Sequence, residues 1–165
     1  MLVLQPPASL APLHDTTAPS LFLAGSIEMD DAPRWQDQLI AALADTDLVI
    51  LNPRREAWDA TWEQRARCEP FREQVEWELE GLERADRVCF YFAPATKSPI
   101  SLLELGLVAR SGRAVVCCPE GFWRRGNVEI VCGRYGIELL EDLDALARHL
   151  RGTGGRPKSS GSSVT

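Results

Sequence analysis

A glutamate inside an apolar segment is the first residue in this chain whose setting suggests chemistry. Glu104 lies among leucines in the segment 98–106, SPISLLELG. A carboxylate in such surroundings is unfavourable unless it has partners or faces a cleft. The spacing predicts that Ile100, Leu103, Leu107 and Val108 form the buried stripe of a helix, with Glu104 close to the inward side. Spacing alone leaves open a solvent-exposed helical glutamate.

The start of the same helix offers groups that could bind a ligand. Ser98 is the candidate N-cap and Pro99 the first helical residue, and the free N–H groups of such a helix start suit an anion or a sugar hydroxyl. A second acidic helix precedes it over residues 71–84. Its glutamates mostly indicate a solvated face, but Glu78 lies at the edge of that face and could point at a site.

The segments around these residues predict how they are positioned. Apolar runs at 21–25, 48–51, 88–92, 114–118 and 137–140 alternate with helical periods at 33–43, 71–84, 99–110 and 142–150. Strands without polar alternation are typical of a parallel sheet that helices cover on both faces. We therefore predict an α/β fold, a doubly wound, flavodoxin-like or Rossmann-like sandwich with a five-stranded, mainly parallel sheet.

In such sheets, ligands bind beyond the carboxyl ends of the strands. This rule points to residues 25–29, 52–55, 93–101 and 119–127. The connection 53–70 contains two tryptophans and four arginines. Its length is typical of a lid, although a loop packed on the surface is the alternative.

Composition limits the classes of partner. The net charge of −6 argues against a nucleic acid polymer, and the apolar runs are too short to span a membrane. No signal peptide is evident, and five cysteines without a CxxC motif indicate free thiols in a reducing, cytoplasmic setting. With His14 and His149 as the only histidines, neither a metal site nor a cofactor is expected.

Three segments together resemble the nucleoside 2-deoxyribosyltransferase superfamily, which includes 2′-deoxynucleoside 5′-monophosphate N-glycosidases. They are LAGSI at 23–27, the stretch 78–86 and the segment 98–106. Each is a weak signal alone, but their order and their positions on predicted strand-to-helix turns are fairly specific. The resemblance covers about residues 20–140. We therefore interpret 1–19 as an irregular, Pro-rich leader, 20–150 as a nucleoside 2-deoxyribosyltransferase-like domain and 151–165 as a disordered tail.

The resemblance implies roles for the acidic residues and for the first turn. Glu104 would be the nucleophile that attacks C1′ of the deoxyribose. Glu78 replaces an aspartate that helps to protonate or bind the base. The substrate pocket would include Gly25, Ser26 and Ile27.

It also implies roles for residues further along the chain. Ser98 falls where the transferases carry an aspartate and the monophosphate glycosidases a phosphate-binding serine, and Ser101 follows it within the pocket. Phe22 stands where many relatives have a tyrosine that hydrogen-bonds the nucleophile. Asn127 resembles an asparagine that a neighbouring subunit donates to the 5′ side of the sugar, so a homodimer or higher oligomer is expected.

The expected reaction cleaves the N-glycosidic bond of a deoxynucleoside through a covalent deoxyribosyl-Glu104 intermediate and transfers the sugar to another nucleobase, with Glu78 protonated and Glu104 ionised. Ser98 favours a nucleotide substrate, whereas Glu28, where an arginine would hold a phosphate, argues against one. Hydrolysis of 2′-deoxynucleoside 5′-monophosphates and a non-catalytic nucleotide-binding module are the alternatives. The choice between purine and pyrimidine stays open.

Overall fold

A six-stranded parallel sheet forms the centre of the protein. The computed structural model describes residues 1–27 and 34–153. The strands are β1 (Leu2–Leu4), β2 (Ser20–Gly25), β3 (Val49–Leu51), β4 (Arg87–Tyr91), β5 (Ala114–Cys117) and β6 (Glu138–Leu140), in the spatial order β1-β3-β2-β4-β5-β6. The helices are α1 (Trp35–Ala42), α2 (Glu69–Arg84), α3 (Pro99–Val108), α4 (Arg125–Tyr135) and α5 (Leu143–Gly152).

Alternate residues of the strands enter two separate cores. Phe22 and Phe90 belong to a cluster with residues of α2, α3 and α4, whereas Leu23 and Cys89 belong to a cluster with residues of α1 and α5. Because successive side chains of a strand point to opposite faces, this division means that helices cover both faces of the sheet. The predicted doubly wound α/β class is confirmed. No helix among the described residues is both long enough and apolar enough to cross a membrane.

The sheet has one strand more than predicted, and the extra strand lies in the predicted leader. Leu2 pairs with Val49, so β1 extends the sheet beyond β3. Further along, the indole Nε1 of Trp77 donates to the carbonyl of Ala8 at 2.8 Å. The prediction of an irregular leader over 1–19 was wrong because three residues before Gln5-Pro6-Pro7 are too few to show a period.

Two further differences concern the second half of the chain. The helix α4 was not predicted, since Gly126 and Gly133 and its β-branched residues are poor helix formers. The helix α5 extends to Gly152, into the segment interpreted as tail. Residues 154–165 of that segment, like Glu28 and Pro33, lie outside the described residues.

The order of the strands identifies where a ligand would bind. Both β3 and β4 neighbour β2, one on each side. The chain therefore leaves β2 for one side of the sheet and later returns on the other side. Such a reversal opens a crevice at the carboxyl ends of the two strands. Gly25 and Tyr91, which pair in the sheet, end these two strands at the turn that the sequence indicated.

Candidate active site

The turn after β2 depends on a glycine. Gly25 has a φ of 145°, and a Cβ built on it would lie 2.3 Å from the carbonyl oxygen of Tyr91. The close approach lets the backbone N–H of Ser26 donate to that same carbonyl at 2.9 Å. The indole Nε1 of Trp35 donates to the carbonyl of Ser26, also at 2.9 Å. Gly25 therefore positions Ser26, while Ile27 follows it in a half-buried position.

Three buried hydroxyl groups meet at the carboxyl ends of β2 and β4. The Oγ of Ser26 lies 2.6 Å from the Oγ of Ser98 and 2.9 Å from the Oγ1 of Thr96, and the last two lie 3.0 Å apart. The backbone N–H of Ala93 donates to the Ser26 Oγ at 2.9 Å. We call Ser26, Thr96 and Ser98 the hydroxyl cluster. Sequence reasoning found two of its members and missed Thr96, whose only signal is its place two residues before Ser98.

The loop that supplies two of these hydroxyls has an unusual backbone. Ala95 has a φ of 62° and Ser98 a φ of 45°, both in the left-handed region that non-glycine residues seldom adopt. Ser98 precedes α3 as predicted, but its side chain makes no capping hydrogen bond to the helix. Its hydroxyl joins the hydroxyl cluster instead.

The helix α3 buries the face that carries Glu104. Ser101, Glu104, Leu105 and Val108 are its buried residues, and Glu104 is only 8% exposed. The predicted buried stripe was wrong for three of its four residues, which are Ile100, Leu103 and Leu107, with exposures of 60%, 62% and 61%. Both sets have helical spacing, so the period cannot choose between them in a helix that is apolar on nearly all sides.

Glu78 is held by a side chain that sequence reasoning missed. The amide Nε2 of Gln74 donates to the Oε1 of Glu78 and to the carbonyl of Pro53, each at 2.8 Å. Gln74 is buried on α2, one turn before Glu78. The available signal was the spacing of four residues, at which helical side chains are neighbours.

Both carboxyl groups have raised pKa values, and Glu78 contributes to the shift of Glu104. Burial raises the pKa of Glu78, and the hydrogen bond from Gln74 opposes that rise. Burial, followed by repulsion from Glu78, raises the pKa of Glu104 to about 8. The structure thus brings the two predicted catalytic residues into one site. It differs from the expectation of an ionised Glu104, because the protein's own groups favour a proton there at neutral pH.

Phe22 supports the site from the core. Its ring is fully buried and packs against Trp77, with ring centroids 6.2 Å apart. A Cβ built on Gly81 would lie 2.6 Å from the same ring. The absence of a side chain at Gly81 therefore lets α2 approach the sheet, three residues after Glu78.

Asn127 lies apart from the hydroxyl cluster. It is exposed near the start of α4 and lines a cavity of about 360 Å³ between α3 and α4. Leu102, Gly106 and Trp123 line the same cavity, whereas Glu104 and the hydroxyl cluster do not. Within one chain, Asn127 is therefore not placed beside the predicted catalytic residues.

Comparisons with known proteins agree with this architecture. A crystal structure of a conserved protein from Enterococcus faecalis V583 superposes with a TM-score of 0.60 at 10% sequence identity, covering 82% of this chain and 98% of that chain, which shows a shared fold. No curated protein sequence matches the chain significantly. The profile of the family described as nucleoside 2-deoxyribosyltransferase like matches residues 18–122, and the chain therefore belongs to that family.

Proposed function

We propose that this protein cleaves the N-glycosidic bond of a 2′-deoxynucleoside and transfers the deoxyribose to another nucleobase through a covalent intermediate on Glu104. The observation that carries the proposal is the burial of Glu104 beside Glu78 at the crevice of the sheet. A buried carboxyl repelled by a second, half-buried carboxyl is unfavourable for folding alone. Perturbed acidic groups in one cleft are typical of acid–base and nucleophilic catalysis.

The pair carries the proton that the reaction needs. With the pKa of Glu104 raised to about 8, its carboxyl holds a proton at neutral pH. For the reaction, that proton has to be on Glu78, so that Glu104 is the free carboxylate. A sugar carbon that develops positive charge favours this distribution, because it stabilises the negative charge of Glu104 beneath it.

The proposed reaction has two steps, the formation and the breakdown of the covalent intermediate. The Glu104 carboxylate forms a bond to C1′ while the N-glycosidic bond breaks, its electron pair leaves with the base, and Glu78 gives the base a proton. In the second step, the nitrogen of an acceptor base attacks C1′ and the bond to Glu104 breaks. The proton of the incoming nitrogen returns to Glu78, which restores the starting state.

The hydroxyl cluster suits the sugar side of the substrate. Ser26, Thr96 and Ser98 present hydroxyls that both donate and accept hydrogen bonds, and they add no negative charge. The same neutrality favours a second candidate reaction, the hydrolysis of 2′-deoxynucleoside 5′-monophosphates, in which water replaces the acceptor base. A serine at position 98 can donate to a phosphate oxygen, whereas an aspartate would repel it.

The outer face of α3 supports assembly into a homodimer or higher oligomer. Ile100, Leu103 and Leu107 are exposed there, and Trp123 just before α4 and Ile130 on α4 are exposed as well. Clustered exposed apolar residues are typical of an interaction surface. A second copy on this surface would cover the cavity lined by Asn127, in keeping with the role that the resemblance implies for that residue. The five free cysteines fit a cytoplasmic setting.

The proposal is tested by following free base from a panel of deoxynucleosides and their 5′-monophosphates, with and without an acceptor base. We expect the wild-type protein to release base, and Glu104→Gln to reduce the rate by about 10³-fold or more, since it removes the nucleophile. Chromatography of the bases and of any new nucleoside is the measurement. Glu83→Gln, an exposed glutamate on α2, is the matched control.

The products distinguish the two candidate reactions. A new nucleoside that forms only with the acceptor base supports transfer, and release of base from 5′-monophosphates alone supports hydrolysis. Wild-type turnover by Glu104→Gln with every active substrate would rule out its role as nucleophile. Tight binding without any turnover would identify a nucleotide-binding module instead.

A further inference from the structure

Gln74 connects the end of β3 to the proposed catalytic acid. Its Nε2 lies 2.8 Å from the carbonyl oxygen of Pro53 and 2.8 Å from the Oε1 of Glu78. Pro53 belongs to the loop that follows β3, and Glu78 lies one helical turn after Gln74 on α2. The amide therefore fixes the Glu78 carboxyl relative to the edge of the sheet where the crevice lies.

The chemistry of these neighbours fixes the orientation of the amide. A backbone carbonyl can only accept a hydrogen bond, so the Gln74 atom that faces Pro53 must be the NH₂ group. That group has two N–H bonds and two acceptors, and both N–H bonds are used. The Oε1 of Glu78 consequently faces a donor that cannot accept a hydrogen bond in return.

We propose that Gln74 is a positioning residue that keeps the proton of the Glu78 carboxyl on Oε2. This inference rests on the proposed function for the use of that proton by the leaving base. A proton on Oε1 would place two hydrogens against each other, because the amide N–H already points at that oxygen. A proton on Oε2 leaves Oε1 as the carbonyl oxygen, which is the better acceptor of the two.

The oxygen of the Gln74 amide also indicates that this residue has a role beyond stability. The Oε1 of Gln74 is buried and has no hydrogen-bond partner among the described residues. A buried carbonyl without a partner is unfavourable, and such groups occur where another requirement takes precedence. Methionine would fill the same space without this unpaired oxygen, but it could not donate to Glu78.

The charged groups near Glu78 determine how the pKa of its carboxyl has to be measured. Among the described residues, Glu104 on α3 is the titratable group that is coupled to it, and Gln74 on α2 is its hydrogen-bond donor. Coupled carboxyls titrate as a pair rather than separately. The titration is therefore followed in the Glu104→Gln background, in which the carboxyl of Glu78 titrates without that partner.

The first test is a ¹³C NMR titration of the side-chain carboxyl of Glu78, assigned with Glu78→Gln. We expect Gln74→Met to raise the pKa of this carboxyl, because a donor that stabilises the carboxylate has been removed. Gln36→Met is the matched control, since Gln36 is a fully buried glutamine that hydrogen-bonds no carboxyl in the part of the chain that the structure describes. We expect this control to leave the titration of Glu78 unchanged.

The same contact can be measured without a variant at position 74, which covers the case in which Gln74→Met does not fold. The side-chain NH₂ resonances of Gln74 should shift with the titration of Glu78. NH₂ resonances that do not respond to pH in this range would overturn the proposal. An unchanged titration of Glu78 in a folded Gln74→Met variant would overturn it as well.

The second test measures delivery of the proton. Deoxyguanosine methylated at N7 carries a positively charged base that departs without a proton, so it serves as a substrate that does not need the acid. We expect Gln74→Met to reduce kcat/KM for unmethylated deoxyguanosine at least about tenfold more than for the methylated form. A merely structural change would reduce both rates equally, and equal losses would overturn the role of Gln74 in proton delivery.

The two tests separate this inference from the proposed function. If the titration of Glu78 depends on Gln74 but the wild-type protein releases base from no deoxynucleoside or 5′-monophosphate of the panel, including both forms of deoxyguanosine, the glycosidase proposal fails and the placement of the proton by Gln74 stands. If wild-type protein is active and the titration does not depend on Gln74, the glycosidase proposal stands and this inference fails.

Discussion

The two faces of α3 differ from those of an ordinary helix on a protein surface, because polar residues lie on the inner face and large apolar residues lie on the outer one. The inner face buries Ser101 and Glu104 together with Leu105 and Val108, whereas the outer face exposes Ile100, Leu103 and Leu107. A helix chosen only for stability would place the leucines inward and the glutamate outward. The buried glutamate is what the proposed catalytic role of the inner face requires, and the exposed apolar residues are what the proposed interface on the outer face requires.

The largest expected effect concerns the inner face, and it is a change in the free energy of unfolding with pH. The pKa of Glu104 is raised from 4.5 to about 8, so the folded protein binds this proton more strongly than the unfolded chain does. The stability that depends on this proton is complete below about pH 4.5 and is lost as the pH rises towards 8. We expect Glu104→Gln to be more stable than wild type by at most about 5 kcal/mol above pH 8, and by much less near pH 4.5.

Urea unfolding at a series of pH values measures this difference in the free energy of unfolding. The matched control is Glu83→Gln, because Glu83 is an exposed glutamate of the neighbouring helix. The control should show no gain that grows with pH. If Glu104→Gln showed the same difference from wild type at pH 5 and pH 9, the buried inner face would not perturb this carboxyl.

A smaller effect is expected from the helix that meets the inner face. A Cβ at Gly81 would lie 2.6 Å and 2.8 Å from two atoms of the Phe22 ring. We expect Gly81→Ala to move α2 away from the sheet, to lower the free energy of unfolding by about 1–3 kcal/mol, and to reduce activity by displacing Glu78. Urea unfolding and release of free base are the two measurements.

The control for this change is Gly133→Ala in α4, where a Cβ would meet nothing within 4 Å. Alanine is the better helix former, so this variant should gain about 0.5–1 kcal/mol. Equal stability of the two variants would show that the contact between α2 and Phe22 does not limit the approach of the helix.

The same comparison shows what the sequence could predict. The buried strands have no polar alternation, so the α/β class and the turn at Gly25-Ser26 followed from the pattern. The choice of face in α3 did not, because apolar residues occur at both sets of helical positions, and only the packing of Leu105 and Val108 against the sheet decides between them. Carboxylates ordinarily lie on the surface of a protein, and Glu104, the proposed catalytic residue, is an exception to that rule.

Two other contacts in the site could not be predicted from sequence patterns, each for a different physical reason. The contact of Gln74 with Pro53 joins residues 21 positions apart, and it depends on how α2 lies across the end of β3. Thr96 reaches Ser26 only because the loop before α3 takes a left-handed turn at Ala95. Short-range spacing could indicate neither contact, although the pair of Gln74 and Glu78 has the spacing of helical neighbours.

The smallest expected effect on the stability of a single chain concerns the outer face of α3. It tests whether the exposed apolar residues of that face contact a second copy. Leu103 is 62% exposed, so Leu103→Lys should change the free energy of unfolding of one chain by no more than about 0.5 kcal/mol. If α3 and α4 form the interface between two copies, the same charge should shift the protein towards monomers, because a lysine would be buried without a partner. Analytical ultracentrifugation over a range of protein concentrations measures the shift.

Leu79→Lys is the matched control, since Leu79 is an exposed leucine on α2 and lies outside the proposed interface. It should leave the assembly unchanged, so that a loss of assembly specific to Leu103→Lys locates the interface on α3. A wild-type protein that stays monomeric at every concentration, or an oligomer that tolerates lysine at position 103, would mean that the exposed leucines of α3 do not contact a second copy. The buried glutamate of the inner face would then be the one feature of α3 that the proposed function explains.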